Sequence, residues 1–329
     1  MLILNKYILT FGQIFLFLMS EFIEFTLKVR DSEIACWSVL PSRPVCIVQV
    51  VHGMMEHSGR YMEFARWISG KGIGVYINDL PGHGKNLNYI PGETPVGDDI
   101  HGHFGDRDGW NRCMTVLNSM RGRINEENPG IPVFILGHSM GSVLVQSYMR
   151  RFSHEVNGAI LSGPLRQPKL LLNSGIGLVG IISLMRGRRY RSRLLKDLGY
   201  GSYSKFFLPK RTEFDWLCSD PQIVDEYVND PYCGFPCTTA FYSDFFHGIW
   251  ENMSTAVIDP GLPMLIFAGK NDPTGHFGKD PEKIADYYRR LGVKSVDIKI
   301  WPDGRHEMLN EVNKTEVWEY LQNWIHNHL

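Results

Sequence analysis

The pattern of apolar and polar positions divides the chain into predicted strands and helices. IEFTLKV and IACWSVL, on either side of the turn RDSE, predict an antiparallel strand pair at a sheet edge. PVCIVQVVHG is almost wholly apolar, which is typical of a strand buried on both faces of a parallel sheet. Strand and helix patterns then alternate: MEFARWIS, IGVYINDL, WNRCMTVLNSMRGRI, PVFILGH, SVLVQSYMRRF, GAILSGP, and later PMLIFAG, PEKIADYYRRLG, SVDIKIWP and EVWEYLQNWIHNHL. This order predicts an α/β fold with a mostly parallel central sheet and helices on both faces.

A long segment interrupts the alternation between GAILSGP and PMLIFAG. A compact domain rarely holds a structureless loop of that length, so we predict that residues 165–255 form an inserted helical cap. The α/β core then comprises residues 22–164 and 256–329. The cap begins with the apolar run LLLNSGIGLVGIISLM, which RGRRYRSR follows at once.

Residues 1–21 are predicted to be an apolar N-terminal extension. The run YILTFGQIFLFLM, residues 7–19, is shorter than the roughly 20 residues that span a membrane. It has the length of a signal-peptide core, but no small-x-small cleavage site follows. Two interpretations stay open: residues 1–18 precede a natural start at Met19, or the segment is a helix that associates with membranes.

Composition narrows the class of protein further. With a formal net charge of -1 and 43% hydrophobic residues, the chain is predicted to be globular and to have no affinity for nucleic acid. The six cysteines are scattered, and no second Cys/His pair accompanies Cys233 and Cys237, so we predict no metal. We expect no cofactor, and reduced thiols in a chain of this size indicate a cytoplasmic protein, with membrane association as an option.

The stretch ILGHSMGS carries the candidate chemistry. Ser139 lies between Gly137 and Gly141, after a predicted strand and before a predicted helix, where a sharp turn would expose its hydroxyl at the carboxyl edge of the sheet. A serine nucleophile needs a base. His306 follows the last predicted strand, and Asp272 follows the strand before it. We therefore predict Ser139 as nucleophile, His306 as base and Asp272 as the carboxylate that orients the base.

Several other histidines and carboxylates are expected to have structural roles and no part in the chemistry. We expect His52 and His83 to order their loops, and the His138 side chain to point away from the nucleophile. Asp280 and Asp303 are expected to be ordinary surface carboxylates.

Two backbone amides are predicted to bind the oxyanion that forms during acyl transfer. One is the N–H of Met140, directly after the nucleophile and at the start of a helix. The other is the N–H of Met54, in the loop HGMMEHSGRY after a buried strand. The side chains of both methionines need only line the pocket.

Together these motifs resemble the monoacylglycerol lipase and lysophospholipase branch of the α/β-hydrolase fold, a group also labelled serine aminopeptidase-like. The matching segments are HGMMEHSGRY, DLPGHGKN, GHSMGS, SGP, GKNDP and GRHEMLNE, in that order over about residues 22–329. The resemblance implies the same triad and oxyanion amides, and hydrolysis of lipid esters through an acyl-enzyme intermediate.

The chain departs from the family pattern at two positions. Met55 stands where the family loop HGxGEHSGRY has glycine, a change expected to narrow the acyl pocket or stiffen the loop. Asn86 stands where the family commonly has serine.

The cap is predicted to select the substrate. Residues 169–185 and a group of aromatic side chains offer apolar surface for an acyl chain, although they could equally just pack the cap onto the core. These aromatic residues are Phe235, Phe241, Tyr242, Phe245 and Phe246. A basic cluster could bind anionic lipid head groups or form a solvated charged face. Its members are Arg186, Arg188, Arg189, Arg191 and Arg193.

Two other functions stay open at this point. An aminopeptidase on the same fold would need cap carboxylates to hold a free amine, and Asp215, Glu226 and Asp230 are available. A non-catalytic binding protein is the third possibility, and the complete set of triad residues argues against it.

Overall fold

The computed structural model describes residues 21–29, 32–86 and 100–329. The predicted N-terminal extension therefore lies outside the described residues, apart from Glu21.

One sheet contains all the strands of the described residues. The strands are β1 (Ile23–Val29), β2 (Ser32–Val39), β3 (Cys46–Val51), β4 (Ile73–Asn78), β5 (Val133–His138), β6 (Gly158–Ser162), β7 (Met264–Gly269) and β8 (Val296–Trp301). Their order across the sheet is β1-β2-β4-β3-β5-β6-β7-β8. β2 pairs antiparallel with β1 and β4, and all the other pairs are parallel. The predicted α/β class and the antiparallel edge pair are confirmed.

Helices cover both faces of this sheet. They are α1 (Met62–Ser69), α2 (Gly109–Glu127), α3 (Met140–Phe152), α4 (Lys169–Arg186), α5 (Arg193–Lys196), α6 (Pro221–Asn229), α7 (Thr239–Glu251), α8 (Lys279–Arg290) and α9 (Lys314–His326). α1 and α9 pack on one face, and α2, α3 and α8 pack on the other. Because both faces are covered, every residue of β3, β4, β5, β6 and β7 is buried.

The segment between β6 and β7 holds α4 to α7 and short turns, without a strand of the described sheet. It does not stand apart from the core, because Phe241 of α7 packs against Phe104 with ring centroids 4.6 Å apart. The division into a separate cap unit over residues 165–255 stays a prediction.

The parallel strands bring several loops together at their carboxyl ends. Ser139 follows β5, Asp272 follows β7, His306 follows β8 and Met54 follows β3. This edge of an open α/β sheet is where ligands generally bind.

Candidate active site

Ser139 occupies a strained turn between β5 and α3. Its φ of 52° and ψ of -118° put a non-glycine residue in a sparsely populated backbone region. The turn is fixed from both sides, since the Ser139 N–H donates to Ser162 O at 2.9 Å and the Ser139 carbonyl accepts the Ser142 N–H at 2.9 Å. Strain held this way at a single polar residue is typical of a functional position.

The two glycines of the motif have a steric reason. A Cβ atom at Gly137 would overlap the backbone of Gly141, and one at Gly141 would overlap the carbonyl oxygens of Val51 and His52. The strand-to-helix turn can therefore close only if both positions lack a side chain.

His306 and Asp272 form a buried pair. The ring nitrogen Nδ1 of His306 lies 2.8 Å from Asp272 Oδ2, and their side chains are 2% and 0% exposed. Burial of the ring opposes its charged form, but the charge and hydrogen bond of Asp272 outweigh this effect and raise the pKa of His306 above its ordinary value. Such a pair stabilises an imidazolium, which is what a general base becomes when it takes a proton.

Ser139 and His306 share a small cavity of about 30 Å³. The structure records no hydrogen bond between these two described side chains. Catalytic hydrogen bonds are often long in ligand-free structures and shorten in the substrate complex. The structure thus brings the three predicted residues to one place, with only the Asp272–His306 contact at bonding distance.

The two predicted oxyanion amides also lie at this place. Met140 is the first residue of α3, so its N–H has no acceptor within the helix. Met54 and Met140 line the same cavity as Ser139.

Met55 has a left-handed backbone conformation, with a φ of 59°. Its side chain is 1% exposed, and its carbonyl oxygen accepts the Tyr227 hydroxyl at 2.9 Å and the Gly234 N–H at 3.0 Å. The expectation that Met55 narrows the acyl pocket is wrong: it lines the small cavity beside His306 and not the large apolar one. Its carbonyl instead ties the loop to the cap.

A buried charge network supports the loop after β3, and we had not predicted it. Arg60 lies between Glu56 and Glu307, at 3.3 Å from Glu56 Oε2 and in direct contact with Glu307. Glu56 also accepts the Gly53 N–H at 2.5 Å and the Tyr61 hydroxyl at 2.7 Å. Burial and the neighbouring Glu307 raise the pKa of Glu56. The network links the Met54 loop to the residue that follows His306, and both glutamates lie within the quoted motifs.

The other histidines have structural partners. His52 Nε2 accepts the Leu80 N–H at 2.9 Å, and His83 Nδ1 lies 2.9 Å from Pro81 O. Burial lowers the pKa of both rings to about 3, so they are neutral. His138 Nδ1 lies 3.1 Å from Ser162 Oγ, and burial likewise lowers its pKa.

Asp280 corrects one expectation. It is fully buried rather than at the surface, and it accepts the Arg166 N–H at 2.9 Å and contacts His276 at 2.6 Å. Its position near the start of α8 turns the carboxylate toward the loop that carries Asp272. Asp303 is exposed, as expected.

A cavity of about 300 Å³ extends from Ser139 beneath the helical segment between β6 and β7. Most of its lining is apolar, and includes Leu171, Leu178, Trp216, Tyr242, Phe245 and Phe246. Three of the five predicted aromatic side chains, Tyr242, Phe245 and Phe246, therefore line this cavity. Phe235 and Phe241 instead pack against His83, with ring centroids 5.3 and 6.0 Å away.

The five arginines of the basic cluster do not form one free basic surface. Arg189 pairs with Asp106 at 3.1 Å, and Arg191 donates to the carbonyl of His101 at 2.8 Å. Arg186, Arg188 and Arg193 have exposed side chains.

One group among the described residues has potential metal ligands, with atoms of His57, Asp230 and Cys233 within 4.8 Å of one another. His57 Nδ1 accepts the Gly59 N–H at 3.1 Å, so the ring hydrogen lies on Nε2 and faces Asp230 Oδ2 at 2.8 Å. A metal would need the lone pair of that nitrogen. The group is better described as a hydrogen-bonded contact between the loop after β3 and the cap.

A serine in a tight strand-turn-helix elbow, on a mostly parallel sheet covered on both faces, defines the α/β-hydrolase class. Within that class the chain belongs to the family described as serine aminopeptidase, S33, whose sequence model matches residues 42–313.

Several relatives are similar over most of the chain. A monoglyceride lipase homolog of Monkeypox virus is 39% identical over 286 residues, which cover 86% of this chain and 90% of the relative. A monoacylglycerol lipase of Mycolicibacterium smegmatis is 25% identical, covering 87% and 90%. A carboxyl esterase structure from Bacillus coagulans has a TM-score of 0.81 at 24% identity, covering 93% of this chain and 98% of the esterase. The similarity to the esterase structure shows the fold alone.

Proposed function

We propose that this protein hydrolyses carboxylic esters of lipids that carry a single acyl chain. The observation that carries the proposal is the position of Ser139, which lines two cavities of very different size. One is the apolar cavity of about 300 Å³, and the other is the recess of about 30 Å³ beside His306, whose lining includes Glu56 and Glu307. The larger volume is at the low end for small-molecule sites, which fits one acyl chain. The names of the similar lipases support the same substrate class.

The proposed reaction uses Ser139 as nucleophile. Neutral His306 takes the hydroxyl proton as the serine oxygen attacks the ester carbonyl, and Asp272 stabilises the resulting imidazolium. The N–H groups of Met54 and Met140 bind the oxyanion. His306 then gives its proton to the leaving alcohol, and water repeats the sequence on the acyl-enzyme.

The small cavity favours an uncharged polar alcohol as the leaving group. Glu56 and Glu307 both line it, and Arg60 between them is already paired with both carboxylates. A phosphate group would approach two carboxylates without a free cation from this network. An uncharged glycerol-like alcohol avoids this repulsion, so we propose monoacylglycerols rather than lysophospholipids.

The aminopeptidase alternative has no support from the predicted cap carboxylates. Asp215 is occupied by Thr212 and by the Arg211 N–H at 2.7 Å, and Asp230 is bonded to His57. None of the three carboxylates, Glu226 included, lines the cavities at Ser139.

A substrate panel tests the proposal. Wild type and Ser139→Ala are assayed on a monoacylglycerol, a lysophosphatidylcholine of the same chain and an aminoacyl anilide. We expect the wild type to hydrolyse the monoacylglycerol fastest of the three substrates. Ser139→Ala should lose about 10⁴-fold or more of this activity. Equal activity of both proteins would refute the role of Ser139 as nucleophile. Preference for the anilide would refute the proposed substrate class.

We also propose that the cap contacts membranes peripherally. By length and composition alone α4 is long and apolar enough to cross a membrane, but Leu172 and Val179 on one side are buried in the protein. The other side is exposed, with Leu184 at 88% and Met185 at 75%. Arg186 and Arg188 follow directly. An apolar face bordered by cations suits the surface of an anionic bilayer, and such contact is compatible with a cytoplasmic protein.

Vesicle binding tests this contact. The double variant Arg186→Glu/Arg188→Glu is compared with Arg43→Glu/Arg290→Glu, which reverses two exposed charges at the opposite, amino-terminal edge of the sheet. We expect the first pair to weaken binding to vesicles with anionic lipid and the second to leave it unchanged. Equal binding of both variants would contradict the proposal.

A further inference from the structure

Thr274 contacts both members of the buried Asp272–His306 pair. It lies two residues after Asp272 in the turn that follows β7, and it is 6% exposed. Its backbone N–H donates to Asp272 Oδ1 at 2.8 Å, and its hydroxyl donates to the same oxygen at 2.5 Å. The hydroxyl oxygen is also 2.9 Å from His306 Nδ1. The other carboxylate oxygen, Oδ2, is the one that faces His306 Nδ1.

The positions of the hydrogens follow from these contacts. An ionised carboxylate only accepts, so the single Thr274 hydroxyl hydrogen points to Asp272 Oδ1. The threonine oxygen therefore presents lone pairs to His306 Nδ1, as Asp272 Oδ2 also does. Both neighbours accept, so the ring hydrogen lies on Nδ1 and the lone pair lies on Nε2. That is the tautomer that a base for Ser139 requires.

We propose that Thr274 is a positioning residue for the reaction, through a hydroxyl that orients the Asp272 carboxylate and selects the His306 tautomer. This inference rests on the proposed function, because it assumes that His306 is the base. When His306 takes the serine proton, the hydroxyl oxygen becomes a second acceptor for a charged N–H. The contact is then stronger in the transition state than in the resting enzyme, so its loss reduces kcat more than it changes KM.

Thr274 also lines the apolar cavity, so a change in substrate binding must be separated from a change in catalysis. Thr274→Val keeps the branched shape and removes the hydroxyl. Thr274→Ser keeps the hydroxyl and removes the methyl group. If the hydroxyl acts as proposed, Thr274→Val lowers kcat by about tenfold or more, with KM within about twofold. Thr274→Ser keeps kcat close to wild type.

The experiment measures kcat and KM on a monoacylglycerol, the rate of labelling by a fluorophosphonate, and Tm for each variant. Thr274→Ala replaces Thr274→Val if the valine variant does not fold. Wild-type kcat in the variant without the hydroxyl, or equal losses in the serine and valine variants, would overturn the proposal. If wild type is not labelled at Ser139 at all, the proposed function itself fails, and the two failures are thereby distinguished.

Discussion

Met55 offers a test of whether the loop after β3 is held in a strained conformation. The side chain is 1% exposed, so truncation to alanine removes its buried contacts at a cost of about 2–5 kcal/mol. The backbone φ is 59°, a region that costs an ordinary L-residue roughly 1–2 kcal/mol and glycine almost nothing. Glycine also gives the unfolded chain more conformational entropy, which lowers the stability of the folded protein by roughly 0.4–1 kcal/mol. Met55→Gly should therefore be more stable than Met55→Ala by about 0.5–1 kcal/mol.

The measurement is Tm by scanning calorimetry for both variants. For a chain of this size we expect Met55→Ala to lower Tm by about 3–7 °C, and Met55→Gly to recover about 1 °C of that loss. Met149 is the matched control, because it is also fully buried but lies within α3. There the order should reverse, since glycine in a helix is about 1 kcal/mol worse than alanine. Met55→Ala equal to or more stable than Met55→Gly would refute the reasoning.

Three further predictions follow from the site and the cap. Asp272→Asn should lower kcat by about 10³–10⁴-fold. Because Asp272 raises the pKa of His306 and only the neutral ring is a base, the acid limb of the kcat/KM profile should also move to lower pH; an unmoved limb would contradict this. Gly175→Leu, where a Cβ would lie 3.1 Å from Phe246, should shift the preference toward shorter acyl chains, whereas Gly180→Leu, with open space around it, should not. Burial raises the pKa of Asp244 from 3.8 to about 6, so the folded protein loses stability as pH rises through this interval. Asp244→Asn should accordingly have a higher Tm than wild type at pH 8, and a difference that grows toward pH 4 would exclude this explanation.

The sequence pattern predicted that the loops carrying the candidate site residues meet, and the reason lies in the architecture. Ser139 and Asp272 each follow a buried strand, and His306 follows the partly buried β8; parallel strands are recognisable as largely apolar runs that end at one edge of the sheet. The elbow glycines were predictable for a similar local reason, since the turn they permit is a short-range feature.

Contacts between distant segments could not be predicted in this way. The arginines of RGRRYRSR have similar local surroundings in the sequence, but Arg189 reaches Asp106 and Arg188 is exposed. Asp280 follows its strand at the spacing of a surface residue, but it is buried and accepts the Arg166 N–H from a segment that is distant in the sequence. A threonine close to a carboxylate in the sequence is common. Only the contact of its hydroxyl with His306 indicates that Thr274 has a role in the site.

The central claim is that Ser139 is a nucleophile activated by His306. Its most direct test is to react the full chain with a fluorophosphonate and locate the adduct by peptide mass spectrometry. The account predicts a single adduct on Ser139 in wild type, absent in Ser139→Ala and strongly slowed in His306→Ala. An adduct on another residue, or labelling that does not depend on His306, would contradict it.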